Sequence, residues 1–297
     1  MQKIGFKNFQ NFSVKNNQAN QNLEQKNKEK IRKMCITISS YAPAVPVFFA
    51  HNFSTNSFFK KMFNTAKSLS EDEIKILNNN ADKILKREKL EKLIDIKNIT
   101  SKTNLSKFLQ TPLTIQDLQQ VQQGSNAFFH GDGSIYINRE VAPNLLFHEI
   151  GHAHNNKFSS FFKKIFPLYL PSQKIPFVLA FASLLLNEEK PKEGEELTKF
   201  QKAKNVFRKT LPFLAAASSL PMLMEEGMAT HKANIWAREL LEPNLAKKLA
   251  KSYKFGFLTY LAIPISAFLI SFLGMKYKDF LSSGKSNKMA DTKNTSQ

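Results

Sequence analysis

Residues 147–155 read Phe-His-Glu-Ile-Gly-His-Ala-His-Asn, and the reading of the whole chain turns on them. His148, Glu149 and His152 match the pattern H-E-x-x-H. On a helix, residues four apart share a face, so two imidazoles at this spacing can bind one metal ion while the glutamate beside them reaches a water. Leu145, Leu146, Phe147 and Ile150 make the helix apolar enough to demand burial, and Gly151 leaves room for another backbone to approach. His154 lies two residues past His152, around the helix, and reads as a surface or supporting residue, not a ligand.

Two histidines leave zinc underligated, because a hydrolytic zinc site offers three protein ligands and one open position. The third ligand is sought at residues 224–237, Met-Glu-Glu-Gly-Met-Ala-Thr-His-Lys-Ala-Asn-Ile-Trp-Ala. Ala229, Ala233 and Ala237 give this second helix a small-residue face that can lie tightly against the histidine helix. Glu226 is the candidate ligand, with Glu225 as the fallback. His231, five residues after Glu226, is a candidate oxyanion stabiliser, weighed against a solvated or packed histidine. The expectation is one Zn2+ per chain, held by His148, His152 and Glu226, with Glu149 as the catalytic general base.

Immediately upstream, residues 126–130, a Gly-Asp-Gly turn and residues 134–138 read as a β-hairpin, since the glycines supply positive φ between β-rich flanks. Ser134, Ile135, Tyr136, Ile137 and Asn138 form the candidate edge strand for an extended peptide substrate. The alternative is that they only close a small sheet.

The sequence His148-Glu-Ile-Gly-His152 followed by Glu226-Gly-Met-Ala229 resembles the gluzincin metallopeptidases, in which a glutamate on a second helix completes a His, His, Glu zinc site. Glu226-Gly-Met-Ala-Thr is similar to the E-G-x-A-x of aminopeptidase-like members. Glu226-x-x-Ala229 is similar to the E-x-x-A-D of membrane-bound endopeptidases such as the CAAX prenyl proteases, although Thr230 stands where those have Asp. That second family also places Asn-Ala and an edge strand before the histidine helix, as at Asn126-Ala127, and it inserts membrane helices between the two ligand helices. The resemblance spans roughly residues 126–240. It implies peptide-bond hydrolysis with a protein or peptide as substrate. An N-terminal pair of membrane spans, which that family has, is not evident in this sequence.

Composition points to where such chemistry would take place. Of 297 residues, 43 are Lys or Arg against 24 Asp or Glu, a net charge of +19, yet 42% are hydrophobic and 27 are Phe. That apolar content excludes a disordered chain. The charge suits a polyanionic partner, and the phenylalanines favour a membrane surface over nucleic acid. No zinc finger, phosphate loop or RNA-binding signature is present, so no specific nucleic-acid partner is expected. Cys35, the single cysteine, can form neither an internal disulfide nor a cysteine-based zinc site.

Residues 255–275 are uncharged over 21 positions and flanked by Lys251, Lys254, Lys276 and Lys278, which reads as a transmembrane helix. Two shorter apolar runs, 175–186 and 211–224, read as a helical hairpin in the bilayer or as core helices, joined by a charged, solvated link at 187–210. Phe161, Phe162, Lys163, Lys164 and Phe166 mix aromatic and cationic side chains as an interfacial segment does. The basic flanks favour an active site on the cytoplasmic side, with membrane lipid as a further partner.

Residues 1–33 read as a basic, Asn- and Gln-rich disordered arm, and the uncharged stretch 35–50 as an interfacial or packed segment. Ser70 with Glu73 forms a capping box, and apolar residues from Ile74 to Ile94 recur at near-helical spacing, divided into two helices by Asn78–Asn80. Thr114 caps a short helix that Gly124 stops.

The expected fold is mainly α with a small β-hairpin or sheet (α+β), a zincin-like catalytic core with one to three membrane-associated helices. Its parts are the arm at 1–33, an N-terminal apolar and helical region at 34–125, a metallopeptidase domain at 126–254 with an apolar helical insertion at 165–224, the span at 255–275 and a basic tail at 276–297. The expected function is a membrane-associated zinc metalloendopeptidase. The alternatives are an inactive membrane scaffold of the same fold and a basic nucleic-acid-binding protein.

Overall fold

A computed structural model describes residues 23–108, 110–111, 113–191 and 194–283. The first 22 residues of the expected arm, and the tail beyond 283, lie outside the described residues. The remainder of the arm is helical. Residues 23–39 form helix α1, whose charged face carries the i,i+4 ion pairs Glu24–Lys28 and Glu29–Lys33 at 2.6 and 2.7 Å. After a short turn at Ser40–Pro43 the chain continues as α2 (Ala44–Lys67). Pro43 and Pro46, which interrupt the run as a sequence, fall before and in the first turn of α2, where a missing N–H costs nothing.

Helix α3 (Glu71–Arg87) starts at the expected capping box of Ser70 and Glu73. It is one helix and not two. Asn78 donates to the Arg139 carbonyl at 3.0 Å and Asn80 to the Ile76 carbonyl at 3.0 Å, so these amides are used by partners that leave the helix intact. The chain leaves α3 through Lys89, in the left-handed region at φ 55°, and residues expected to extend the helix instead form a turn and strand β1 (Asp95–Asn98). A capping box of Thr114 and Asp117 then opens α4 (Ile115–Gln122), and Gly124 at φ 70° ends it.

The expected hairpin is present as β2 (Phe128–Phe129) antiparallel to β3 (Ser134–Ile137), with Phe128 opposite Tyr136. Strand β1 pairs parallel with the other side of β3, Ile96 opposite Ile135, giving the order β1-β3-β2. This corrects the edge-strand expectation. Residues Ser134 to Ile137 form the central strand, with both rows of backbone groups already paired, and Asn138 just beyond donates to the Gln122 carbonyl at 2.7 Å. The sheet's edges are β1 and β2.

Past the sheet come α5 (Leu146–Phe158), α6 (Ser160–Ile165), α7 (Pro171–Ser183), α8 (Lys199–Ala217), α9 (Leu220–Leu240) and α10 (Pro243–Ser282), so the chain is mainly helical. The run at 211–224 divides at Ser218–Ser219 between α8 and α9, and much of the charged link 187–210 belongs to α8. One hydrophobic core joins Leu77 and Ile84 of α3, Ile135 and Ile137 of β3, Phe147 and Ile150 of α5, Trp236 of α9 and Leu249 of α10.

Among the described residues, two helical stretches are long and apolar enough to cross a membrane: Leu23–Lys67 and Pro243–Ser282. The second contains the run expected at 255–275. The first departs from the sequence reading, which found no N-terminal span. The bent pair Ser160–Leu168 and Pro171–Ser183, turned by 48°, adds a third if counted as one span.

Candidate metal centre

Helices α5 and α9 build the site between them, and their contact is made possible by one glycine. A Cβ placed on Gly151 would lie 2.7 Å from the Ala229 carbonyl oxygen and 2.9 Å from its Cα. No larger residue fits there without moving one helix. Ala229, Ala233 and Ala237 are all buried along the same face of α9, as their spacing predicts. With the axes this close, side chains one turn apart on α5 meet side chains on α9 directly.

His148 and His152 turn their Nε2 atoms toward each other at 3.1 Å, with the rings nearly perpendicular. Glu226 brings its carboxylate to them, Oε2 3.1 Å from His148 Nε2 and Oε1 3.7 Å from His152 Nε2. These three side chains offer ligand atoms that all lie within 4.8 Å of one another and could hold a metal ion.

The opposite ring nitrogens are also occupied. His152 Nδ1 lies 2.9 Å from Glu225 Oε1, and Asn155 Nδ2 donates to the same oxygen at 3.3 Å. His148 Nδ1 lies 3.4 Å from the Thr230 hydroxyl. A proton held at each Nδ1 leaves the Nε2 lone pairs free to face the cluster. Consecutive helical residues point about 100° apart, so Glu225 and Glu226 reach two different nitrogens of one imidazole. The structure thus assigns the two glutamates separate positions, which their adjacency in the sequence left open.

Glu149 is buried beside the histidines, with the backbone N–H of Phe129 on β2 turned toward its carboxylate. Burial pushes the Glu149 carboxyl above its usual range, against the opposing pull of His152 and His148. For His152, burial disfavours the charged ring, but the carboxylates of Glu226, Glu225 and Glu149 outweigh it and push the imidazole up to about 9. Burial alone would raise Glu226, yet the two histidines and the hydroxyl of Tyr169 hold it low. Glu225 and Glu226 are each 1% exposed, and among the described residues they form ion pairs only with histidine. Carboxylates buried without Lys or Arg partners call for a compensating cation.

Three tyrosines that sequence reasoning missed complete the lining. Tyr253 of α10 stacks on His148 with centroids 6.0 Å apart, and its hydroxyl donates to the Asn144 carbonyl at 2.7 Å. Tyr169 donates to Glu226 Oε1, and Tyr260 lies beside both. Their one sequence signal is a phenol within or beside an apolar run. His231 is exposed on α9 and is not brought to the cluster, which removes it as an oxyanion stabiliser. His154 points away from the cluster, as expected, pairing with Glu88 at 3.3 Å and packing on Phe158 and Trp236. His130 pairs with Asp132 in the hairpin turn, and His51 lies 3.1 Å from the Ser266 hydroxyl between α2 and α10. Comparison with protein-family models, curated proteins and solved structures finds no match to this chain, so what is known of the cluster rests on its own geometry.

Proposed function

We propose that the protein is a membrane-associated zinc metalloendopeptidase of the gluzincin kind, most like the CAAX-prenyl-protease-like membrane enzymes. The observation that carries the proposal is the spacing of His148, His152 and Glu226. Ligands about 2.0–2.1 Å from a tetrahedral zinc ion lie about 3.3 Å from one another. The two Nε2 atoms here are 3.1 Å apart, and the Glu226 carboxylate presents one oxygen to each, Oε2 at 3.1 Å from His148 and Oε1 at 3.7 Å from His152. Protein ligands then number three, which leaves a coordination position for water or substrate, as in catalytic rather than structural sites.

A bound zinc ion supplies Lewis-acid polarisation of a scissile carbonyl and makes water more acidic. The remaining work falls to this chain's residues. Glu149 takes a proton from water and passes it to the departing amine, and its raised carboxyl suits it to hold that proton in transit. Glu225 and Thr230 hold the two imidazoles in the ligating tautomer. The candidate substrate strand moves from β3 to β2, whose free edge turns the Phe129 N–H toward Glu149. An extended peptide laid along β2 would pass close to the catalytic carboxylate. The two candidate spans support a membrane location, and we assign the site to the cytoplasmic side on the strength of Lys247, Lys248, Lys251 and Lys254 at the nearer end of α10.

The test is metal content together with cleavage of an unfolded protein by the purified chain. The wild type is expected to carry about one zinc per chain, and Glu149→Gln to retain it while cleavage falls by about 10²- to 10⁴-fold. Protein that cleaves without bound metal, or Glu149→Gln at full activity, sinks the proposal.

A further inference from the structure

The site is nearly closed. Glu149 and His152 are 6% and 7% exposed and the His148 side chain 16%, so only a narrow opening at His148 leads to the cluster. The covering element is the segment 159–170, which joins α5 to α7. It starts at Ser159, an extended residue between two helices at φ −110° and ψ 113°, and ends at the 48° bend before α7. Pro167 and Pro171 flank its last turn. Its inner side rests on the site. Phe166 packs edge-on against Phe129 of β2 with centroids 5.8 Å apart, and it lies over the hairpin turn, 3.1 Å from where a Cβ on Gly131 would be. Tyr169 stacks behind Phe166 and donates to Glu226. The segment therefore packs on the hairpin whose strand edge a substrate would use and engages one oxygen of the proposed third ligand.

Its outer side faces the opposite way in chemistry as well as in space. Phe161, Leu168 and Leu170 are among the exposed large hydrophobic residues, beside Lys163 and Lys164. The segment also lies at one margin of α10's apolar run. Tyr169 lies near Tyr260, Ser183 bonds Ser271 at 2.7 Å and Lys278 donates to the Leu184 carbonyl, so α7 runs parallel to α10 from that margin inward. Apolar side chains ringed by lysine at the end of a membrane-length helix match an anionic lipid surface in both polarity and charge.

We propose that residues 159–170 are a lid, pinned shut by Tyr169 on Glu226 and opened when Phe161, Leu168, Leu170 and the two lysines engage an anionic membrane surface. Opening releases the β2 hairpin and Glu226 together. The proposal rests on the cluster being the working site, but its test reads the lid and not peptide cleavage, so the two can fail separately.

The test is amide hydrogen exchange on the full chain reconstituted in phosphatidylcholine vesicles, with and without phosphatidylserine. Phosphatidylserine is expected to speed exchange at 128–129 and 160–170 by about tenfold or more, as a minor open form becomes a major one, and to leave α9 unchanged. The double variant Lys163→Glu, Lys164→Glu should lose that response, and Tyr169→Phe should exchange fast in both membranes. Equal exchange in the two vesicle types overturns the proposal, and so does an undiminished response in the charge-reversed variant. Opening by an added soluble protein in phosphatidylcholine alone would overturn it in favour of a protein trigger.

Discussion

Around the candidate metal site, carboxylates and imidazoles are buried. Along the two candidate spans, phenylalanines stand outside. Glu225 and Glu226 are almost wholly enclosed between α5 and α9, whereas Phe49 and Phe53 of α2 are 68% and 78% exposed. In the 18-residue windows that mark the spans, only 11% of the residues are buried for Leu23–Lys67 and 33% for Pro243–Ser282. A water-soluble surface rarely shows apolar patches on that scale, and a protein core rarely encloses acids without cations. Each region breaks the ordinary rule for water, and a partner would relieve each: hydrocarbon for the helices, and for the acids a positive charge, whether a protonated His152 or a bound metal ion.

The contrast is sharpest where each region is least tolerant. Gly151→Leu puts a branched side chain where even a Cβ would lie 2.7 Å from the Ala229 backbone. It should cost about 3 kcal/mol by overpacking and abolish metal binding, measured by denaturation in detergent and by metal content. A variant of wild-type stability would mean that α5 and α9 do not meet as described. A smaller effect is expected at the support of the site. Glu225→Gln should weaken zinc affinity by about 10- to 100-fold in competition with a chelator, without unfolding the chain.

The same titration carries a pH signature. His152 is raised from 6.5 to about 9, so its protonated form stabilises the metal-free protein fully below 6.5, and that stability is lost as pH rises through 9. Zinc needs the neutral ring, so binding should tighten across this window, and Glu225→Gln should move the window to lower pH. Affinity that does not vary with pH from 6.5 to 9 would break the link between His152 and the ion. The smallest effect belongs to the other region. Phe53→Ala should change stability in detergent by under about 0.5 kcal/mol. A loss comparable to that at Gly151 would mean the exposed face of α2 is packed against something other than lipid.

Much of the local structure was legible because its causes are local. Ser70 with Glu73 and Thr114 with Asp117 cap their helices through partners three residues away, and Gly133 at φ 100° turns the hairpin. Strand β1 was not legible. Asp95-Ile-Lys-Asn98 is four residues with no clear alternation, and it becomes a strand only because β3 offers a parallel partner. The mistaken edge at Ser134–Ile137 has the same origin, since whether a strand is central depends on a segment about forty residues upstream. The N-terminal candidate span was obscured by its polar residues. His51 and Ser54 interrupt the apolar run as a sequence, but on a helix they line the groove against α10, where His51 meets Ser266.

What the sequence determined by itself is the chemistry on offer: two histidines one helical turn apart, a glutamate beside the first, a second helix with a small-residue face and a pair of acids, and a final helix long enough for a bilayer. Spacing along a helix is enough to decide which side chains share a face. It is not enough to decide which faces meet. Only the tertiary structure brought Glu226 to the Nε2 atoms and Glu225 to an Nδ1, left His231 in solvent, and drew Tyr169, Tyr253 and Tyr260 to the site. Those outcomes follow from the closeness of α5 to α9 at Gly151, a separation of a few ångströms that no pattern of neighbours along the chain specifies.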